Sequence, residues 1–199
     1  MEDLIRNILD REAEAVRNIP DGDSFLRATE LIYERVHRQG GKVITSGMGK
    51  AGQIGINIAT TFSSTGTPAV FLHPSEAQHG DLGVIQPGDV LLLISNSGKT
   101  REILELVDLA EALYPGLPLI VITGHPGSPL ARMARVVIHT GSPEEVCPLG
   151  LTPTTSTTVM TVIGDTLVVL MMKKIGFTAA DYAKRHHGGY LGEKSRKQK

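Results

Sequence analysis

From residue 42 onward, short unbroken apolar runs alternate with stretches of helical periodicity. The runs lie at 43–45, 69–71, 90–94, 119–122 and 136–138. None alternates apolar with polar residues, so each is expected to be buried on both faces, as in a parallel sheet. Helical patterns at 51–61 and 101–114, and a short one near Leu130, separate most of them. Strands alternating with helices imply right-handed crossovers and a three-layer α/β/α sandwich with a five-stranded parallel sheet. Helices near 155–175 and 178–184 are expected to close the domain.

Two amphipathic helices precede the first strand. Leu4, Ile5, Ile8, Leu9 and Val16 recur at helical spacing up to the turn Pro20-Asp21-Gly22. Leu31, Ile32 and Val36 share one face of a second helix over about 24–39, which stops at Gly40-Gly41. An α/β layer already covered by other helices leaves no room for this apolar face, so the N-terminal helices are expected to pack against a partner subunit. The chain reads as one domain: helices over about 1–40, an α/β core over about 41–192 and a polar, fraying tail at 193–199. The most apolar stretch, 159–172, is interrupted by Gly164 and Asp165 and falls short of the ~20 residues of a membrane span. It reads as a buried core helix, with no membrane partner. The charged N-terminus has no apolar leader, so a cytoplasmic location is expected.

Composition narrows the function classes. The 199 residues carry 20 Lys and Arg against 21 Asp and Glu, a net charge of -1, with no basic surplus to draw nucleic acid. The single cysteine, Cys147, excludes an intrachain disulfide and a four-cysteine zinc site. Aromatics are 4% and tryptophan is absent, which disfavours stacking platforms for bases or glycans.

In an open parallel sheet, ligands bind at the carboxyl ends of the strands. The first run leads into Ser46-Gly47-Met48-Gly49-Lys50, and the third into Ser95-Asn96-Ser97-Gly98-Lys99-Thr100; each turn then opens a helix. Hydroxyls at a helix N-terminus suit a phosphate monoester. Gly47, Gly49 and Gly52 match the spacing of a dinucleotide fingerprint, but the second run leads into His73-Pro74-Ser75-Glu76 without the acidic residue that holds a ribose. Nucleotide use is therefore not expected. Lys50 at a helix start opposes the dipole and needs another reason to be there. Glu102 falls in a first helical turn, Glu145 precedes a Cys-Pro-Leu-Gly loop, and His186-His187 precede Gly188-Gly189. His73 and His79 flank a short turn.

These residues together resemble the sugar isomerase (SIS) domain family, and within it the arabinose 5-phosphate isomerases. The resemblance runs over about 24–192 and rests on 46–52, 61–68, 73–83, Ser95-Asn96-Ser97-Gly98, Ile122-Thr123-Gly124, 147–154, 176–179 and 186–192. The family has proline after the late histidine where this chain has His187, which leaves His186 and His187 both open, with position favouring His186. Family members often carry two CBS domains beyond this point, so the chain resembles a minimal form.

The resemblance implies interconversion of D-ribulose 5-phosphate and D-arabinose 5-phosphate through an enediol, feeding the lipopolysaccharide sugar Kdo. No cofactor is required, and a homotetramer is implied in which the His186 loop completes a neighbour's site. It implies Lys50, Glu102, Glu145 and His186 as the catalytic set. In that reading Glu145 carries the enediol proton, His186 serves ring opening and oxygen protonation, Glu102 is a second acid/base or orienter, and Lys50 holds enediolate charge. Ser46, Gly47, Ser95, Ser97 and Thr100 would hold phosphate and sugar; Gly66, Thr67, His73 and His79 would line the sugar side. A zinc ion at His73 would be inhibitory rather than catalytic. Partial burial is expected to raise the pKa of Glu145 toward neutrality. Two other readings stay open: an isomerase for sedoheptulose 7-phosphate or a hexulose phosphate, and a non-catalytic phosphosugar sensor.

Overall fold

The computed structural model describes residues 1–188 together with Tyr190, Gly192, Lys194 and Ser195. Gly189 and Leu191 of the late histidine motif, and Glu193 and 196–199 of the tail, lie outside the described residues. The sheet contains β1 (Val43–Gly47), β2 (Ala69–Phe71), β3 (Val90–Ile94), β4 (Leu119–Thr123) and β5 (Val136–His139). All pairings are parallel, in the order β2-β1-β3-β4-β5. The helices are α1 (Glu2–Arg17), α2 (Ser24–Ile32), α3 (Lys50–Ser64), α4 (Pro74–Ala77), α5 (Arg101–Leu113), α6 (Pro129–Met133), α7 (Thr155–Lys174) and α8 (Ala179–Arg185). The expected three-layer sandwich is the observed fold.

The central strands β1, β3 and β4 are buried throughout, whereas the edge strands β2 and β5 are only partly so. Side chains alternate along each strand, so the sheet feeds two cores. Val43, Leu92, Ile94, Ile120 and Ile122 meet α2, α3 and α7. Ile44, Leu91, Leu93 and Val121 meet Ile103, Leu106 and Val107 of α5 and Leu130 of α6. By length and composition α7 could cross a membrane, yet half of its apolar window is buried inside the protein, as a core helix requires.

The N-terminal helices divide. Phe25, Ala28 and Ile32 of α2 are buried in the chain's own core, which corrects the expectation that both helices need a partner. The second helix also does not run on as α to residue 39. A π-helical segment, Tyr33–Arg38, follows α2, and there His37 Nε2 lies 3.1 Å from Thr67 Oγ1. Burial pushes the His37 pKa below its ordinary value. By contrast α1 has no buried residue: it packs against α7, and Leu4, Ile5 and Leu9 remain more than half exposed.

The glycines after β1 answer to packing. A Cβ on Gly52 would sit 2.6 Å from the Gly47 carbonyl oxygen, and one on Gly47 would sit 2.8 Å from the backbone of Ala51. The spacing that mimics a dinucleotide fingerprint is therefore a strand and a helix in backbone contact. Gly52→Ala is expected to lower stability by about 1–2 kcal/mol, because overpacking against backbone outweighs the gain in helix propensity. A urea midpoint at or above that of the wild type would show that α3 can back away.

Candidate active site

In a sheet of order 2-1-3-4-5, the connections after β1 and β3 leave for opposite faces and open a crevice between those strands' carboxyl ends. Here α3 packs on one face and α5 on the other. A cleft of about 720 Å³ opens at that point. The β1–α3 turn contributes Met48, Lys50 and Ala51; the β3–α5 turn contributes Ser95, Asn96, Ser97 and Thr100. His125 follows β4, Glu144 and Glu145 come from the β5–α7 loop, and Ser156, Thr157 and Met160 come from α7.

Local hydrogen bonds shape the β3–α5 turn. The Ser95 and Thr100 hydroxyls lie 2.8 Å apart, and Ser95 Oγ accepts the Gly98 N–H at 3.1 Å. Gly98 has φ +59, and a Cβ there would fall 2.0 Å from Ser128 Oγ, so only glycine closes this turn. Ser97 is exposed, and its hydroxyl accepts the Lys99 N–H. Neither Gly49 nor Thr100 caps its helix through a side chain. At the start of α3 the Gly52 N–H donates to the Met48 carbonyl at 3.3 Å, which leaves the Lys50 and Ala51 N–H groups, those of Arg101 and Glu102 in α5, and the positive ends of both dipoles to an anion.

A third helix start faces the same cleft, and there the anion is already in place. The Glu145 carboxylate accepts from Thr154 N at 2.7 Å, Thr154 Oγ1 at 2.9 Å and Ser156 N at 3.2 Å, and from the Ser156 hydroxyl. Glu145 thus caps α7 from nine residues upstream of Thr154. Burial pushes its pKa up, but the bonds from Ser156 and Thr154 outweigh burial and hold the carboxyl below its ordinary value. This corrects the expected upward shift: hydrogen bonds to the charged form were not legible in the sequence. In the same loop, bonds from Thr152, Leu149 and Leu151 bring the Cys147 thiol down to about 7.

Of the expected site residues, Lys50, Ser95, Ser97, Thr100 and Glu145 reach the cleft, and the others do not line it. Ser46 is fully buried, and its hydroxyl donates to the Leu72 carbonyl at 2.6 Å, so it ties β1 to the end of β2. Gly47 is buried in the contact with α3. Glu102 is half-buried in the first turn of α5. Gly66 and Thr67 precede β2 and so lie at the amino edge of the sheet, opposite the cleft. A Cβ on Gly66 would fall 2.9 Å from the Phe177 ring, and Thr67 is buried against His37. His186 stacks on Tyr182 with ring centroids 3.6 Å apart, just beyond α8.

His73 caps α4, its Nδ1 accepting the Ser75 N–H at 3.3 Å, and His79 is exposed after that helix. Among the described residues, no three His, Cys, Asp or Glu side chains gather to hold a metal. One ring nitrogen of His73 is thus engaged in the helix cap. His125, which the sequence reading passed over, belongs to the cleft: its Nδ1 lies 2.8 Å from the Asn96 carbonyl oxygen. Its signal was its place just after β4, at a carboxyl end of the sheet.

The charge balance at α7 generates a prediction. Ser156→Ala removes a donor to the ionised carboxylate, so the Glu145 pKa is expected to rise toward the ordinary glutamate value of ~4.3. Carboxyl NMR titration reads this directly; an unchanged midpoint would mean that the Ser156 hydroxyl does not hold the charge.

Residues 37–170 match the family model described as the SIS domain. Arabinose 5-phosphate isomerase KdsD of Pseudomonas aeruginosa is 48% identical over 173 residues, covering 87% of this chain and 51% of the relative. The Escherichia coli K12 protein of the same name is 53% identical over 164 residues, covering 82% of this chain and 49% of the relative. The chain thus spans about half the length of the curated relatives it matches. A Bacteroides fragilis protein, assigned as a phosphosugar isomerase involved in capsule formation, superposes with a TM-score of 0.94 at 66% identity, over 96% of this chain and 99% of that one. An E. coli CFT073 protein solved in complex with arabinose 5-phosphate superposes with a TM-score of 0.85 at 36% identity, over 92% and 96% of the two chains. The fold, the cleft at its switch point and these matches agree: the chain belongs to the SIS domain family.

Proposed function

We propose that this protein is an aldose–ketose isomerase that interconverts D-ribulose 5-phosphate and D-arabinose 5-phosphate. The observation that carries the reading is one cleft holding a fixed carboxylate and a lysine beside two uncapped helix starts. Three helices begin there, and Glu145 neutralises only the start of α7. The starts of α3 and α5 suit the dianionic phosphate, with Ser97 and Thr100 supplying hydroxyls. The arabinose 5-phosphate bound by the E. coli CFT073 relative and the activity in the names of the KdsD relatives support this substrate.

The chemistry follows from the substrate. A 5-phosphorylated ketopentose cannot close a ring through O5 and is open-chain, whereas the aldose closes through O4 and must be opened. A base then takes a proton from C1 of the ketose as O2 is protonated, giving the enediol; protonation at C2 with loss of the O1 hydroxyl proton gives the aldose, so the net hydroxyl transfer runs from O1 to O2. Glu145 takes and returns the carbon-bound proton, and Lys50 stabilises charge that develops on the oxygens. Glu102 and His186 of the proposed catalytic set lie away from this chain's cleft lining. In our reading the enzyme is a cytoplasmic homotetramer in which a second copy supplies His186. The product would feed Kdo and lipopolysaccharide synthesis.

Aldose–ketose exchange across a panel of phosphosugars tests the assignment. Glu145→Gln keeps the shape of the side chain and is expected to lose at least ~10²-fold in kcat while retaining phosphosugar affinity. It is also expected to stop exchange of the C2 proton with deuterated solvent. Wild-type exchange in Glu145→Gln, lost instead in Glu102→Gln, would reverse the roles of the two glutamates. Tight phosphosugar binding with no turnover by the wild type would point to a sensor.

Ser97→Ala is expected to raise KM with little change in kcat, because a bond to the non-reacting phosphate acts alike in ground and transition states. A lower kcat at unchanged KM would take Ser97 away from the phosphate.

A further inference from the structure

The loop that carries Glu145 is held from outside the α/β core. Arg11 of α1 donates from Nη2 to the Glu145 carbonyl oxygen at 3.2 Å, and the same nitrogen lies 3.9 Å from the Glu144 carboxylate. The next residue, Glu12, accepts the Thr155 hydroxyl proton at 2.9 Å. Thr155 Oγ1 in turn accepts the Val146 N–H at 3.1 Å. Two consecutive residues of α1 therefore grip the peptide unit that follows Glu145, its carbonyl directly and its N–H through a buried threonine.

Apolar packing does not replace these bonds. A second cleft of about 290 Å³ lies between Arg11, Glu14 and Asn18 on one side and Pro143 and Glu144 on the other. Glu12 also keeps one carboxylate oxygen, Oε2, buried without a hydrogen-bond partner among the described residues. An unpaired buried oxygen is a cost to stability, so general stability is a poor account of Glu12.

We propose that Arg11 and Glu12 are positioning residues, which set the Glu145 carboxylate at the cleft by fixing its backbone. The proposal rests on the reading that Glu145 acts in the isomerisation. Small displacements of a reacting group are costly to rate, and both residues act on chemistry more than on substrate affinity.

The test uses the full chain with D-ribulose 5-phosphate. Arg11→Ala is expected to lower kcat about 10-fold or more, with KM within about twofold of wild type. The acid limb of its kcat profile is expected to move to higher pH, because a loosened loop weakens the donors that keep Glu145 ionised. Glu12→Ala is expected to behave alike, and Glu12→Gln, which keeps an acceptor for Thr155, to recover the wild-type rate. In the Glu145→Gln background, Arg11→Ala is expected to cost nothing further, since residues acting as a unit are not additive. The same fold-loss in both backgrounds, or a wild-type kcat and pH profile in Arg11→Ala, overturns the proposal while leaving the role of Glu145 intact. Full activity in Glu145→Gln removes the catalytic reading and the positioning role with it. Should Arg11→Ala fail to fold, the Glu12→Ala and Glu12→Gln pair decides by the same criteria.

Discussion

The backbone contact between β1 and α3 is the constraint on which the remainder rests. Gly47 and Gly52 approach so closely that neither has room for a Cβ. Because β1 ends and α3 begins inside this contact, Met48 and Lys50 are delivered to the edge of the cleft. A Cβ on Gly164 of α7 would fall 2.4 Å from the Ile58 side chain of α3, so α7 also packs closely on that helix. The start of α7, and the acidic loop before it, are thereby carried to the same cleft.

Three helix starts around one cavity make a strongly electropositive place. One of them is answered within the chain, since Glu145 meets the N–H groups and hydroxyls of Thr154 and Ser156. That interaction is at once a helix cap and the means of presenting a carboxylate to the cleft. It also sets the acidity: donors to the charged form outweigh burial and hold the carboxyl below its ordinary pKa. A carboxylate held this way is a weaker base than a desolvated one, but it is ready without deprotonation. The other two starts leave their positive ends for the substrate's phosphate.

Much of this was legible in the chain. Unbroken apolar runs place every strand within two residues, because a strand buried on both faces admits no polar alternation. Hydroxyl-rich turns after β1 and β3 marked the cleft, because ligands gather at the carboxyl ends of parallel strands. The same signal overreached at Ser46, whose hydroxyl proved to serve Leu72, and it missed His125, whose turn carries no such signature. Gly66 and Thr67 came from family resemblance alone, and in this chain they stand at the opposite edge of the sheet.

The sequence by itself determined what is local: strand and helix identity, the glycine-closed turns and the hydroxyl-rich helix starts, because periodicity and backbone freedom are properties of neighbouring residues. It also determined that α1 would carry an apolar stripe, which the fold leaves largely exposed at Leu4, Ile5 and Leu9. Only the tertiary structure decided the strand order, and with it the crevice between β1 and β3. It alone decided that α2 would enter the core while α1 would grip the Glu145 loop, and that Glu145 would be held ionised. Those outcomes depend on groups brought together from distant parts of the chain, such as Glu12 and Thr155, and no local pattern records which of them will meet.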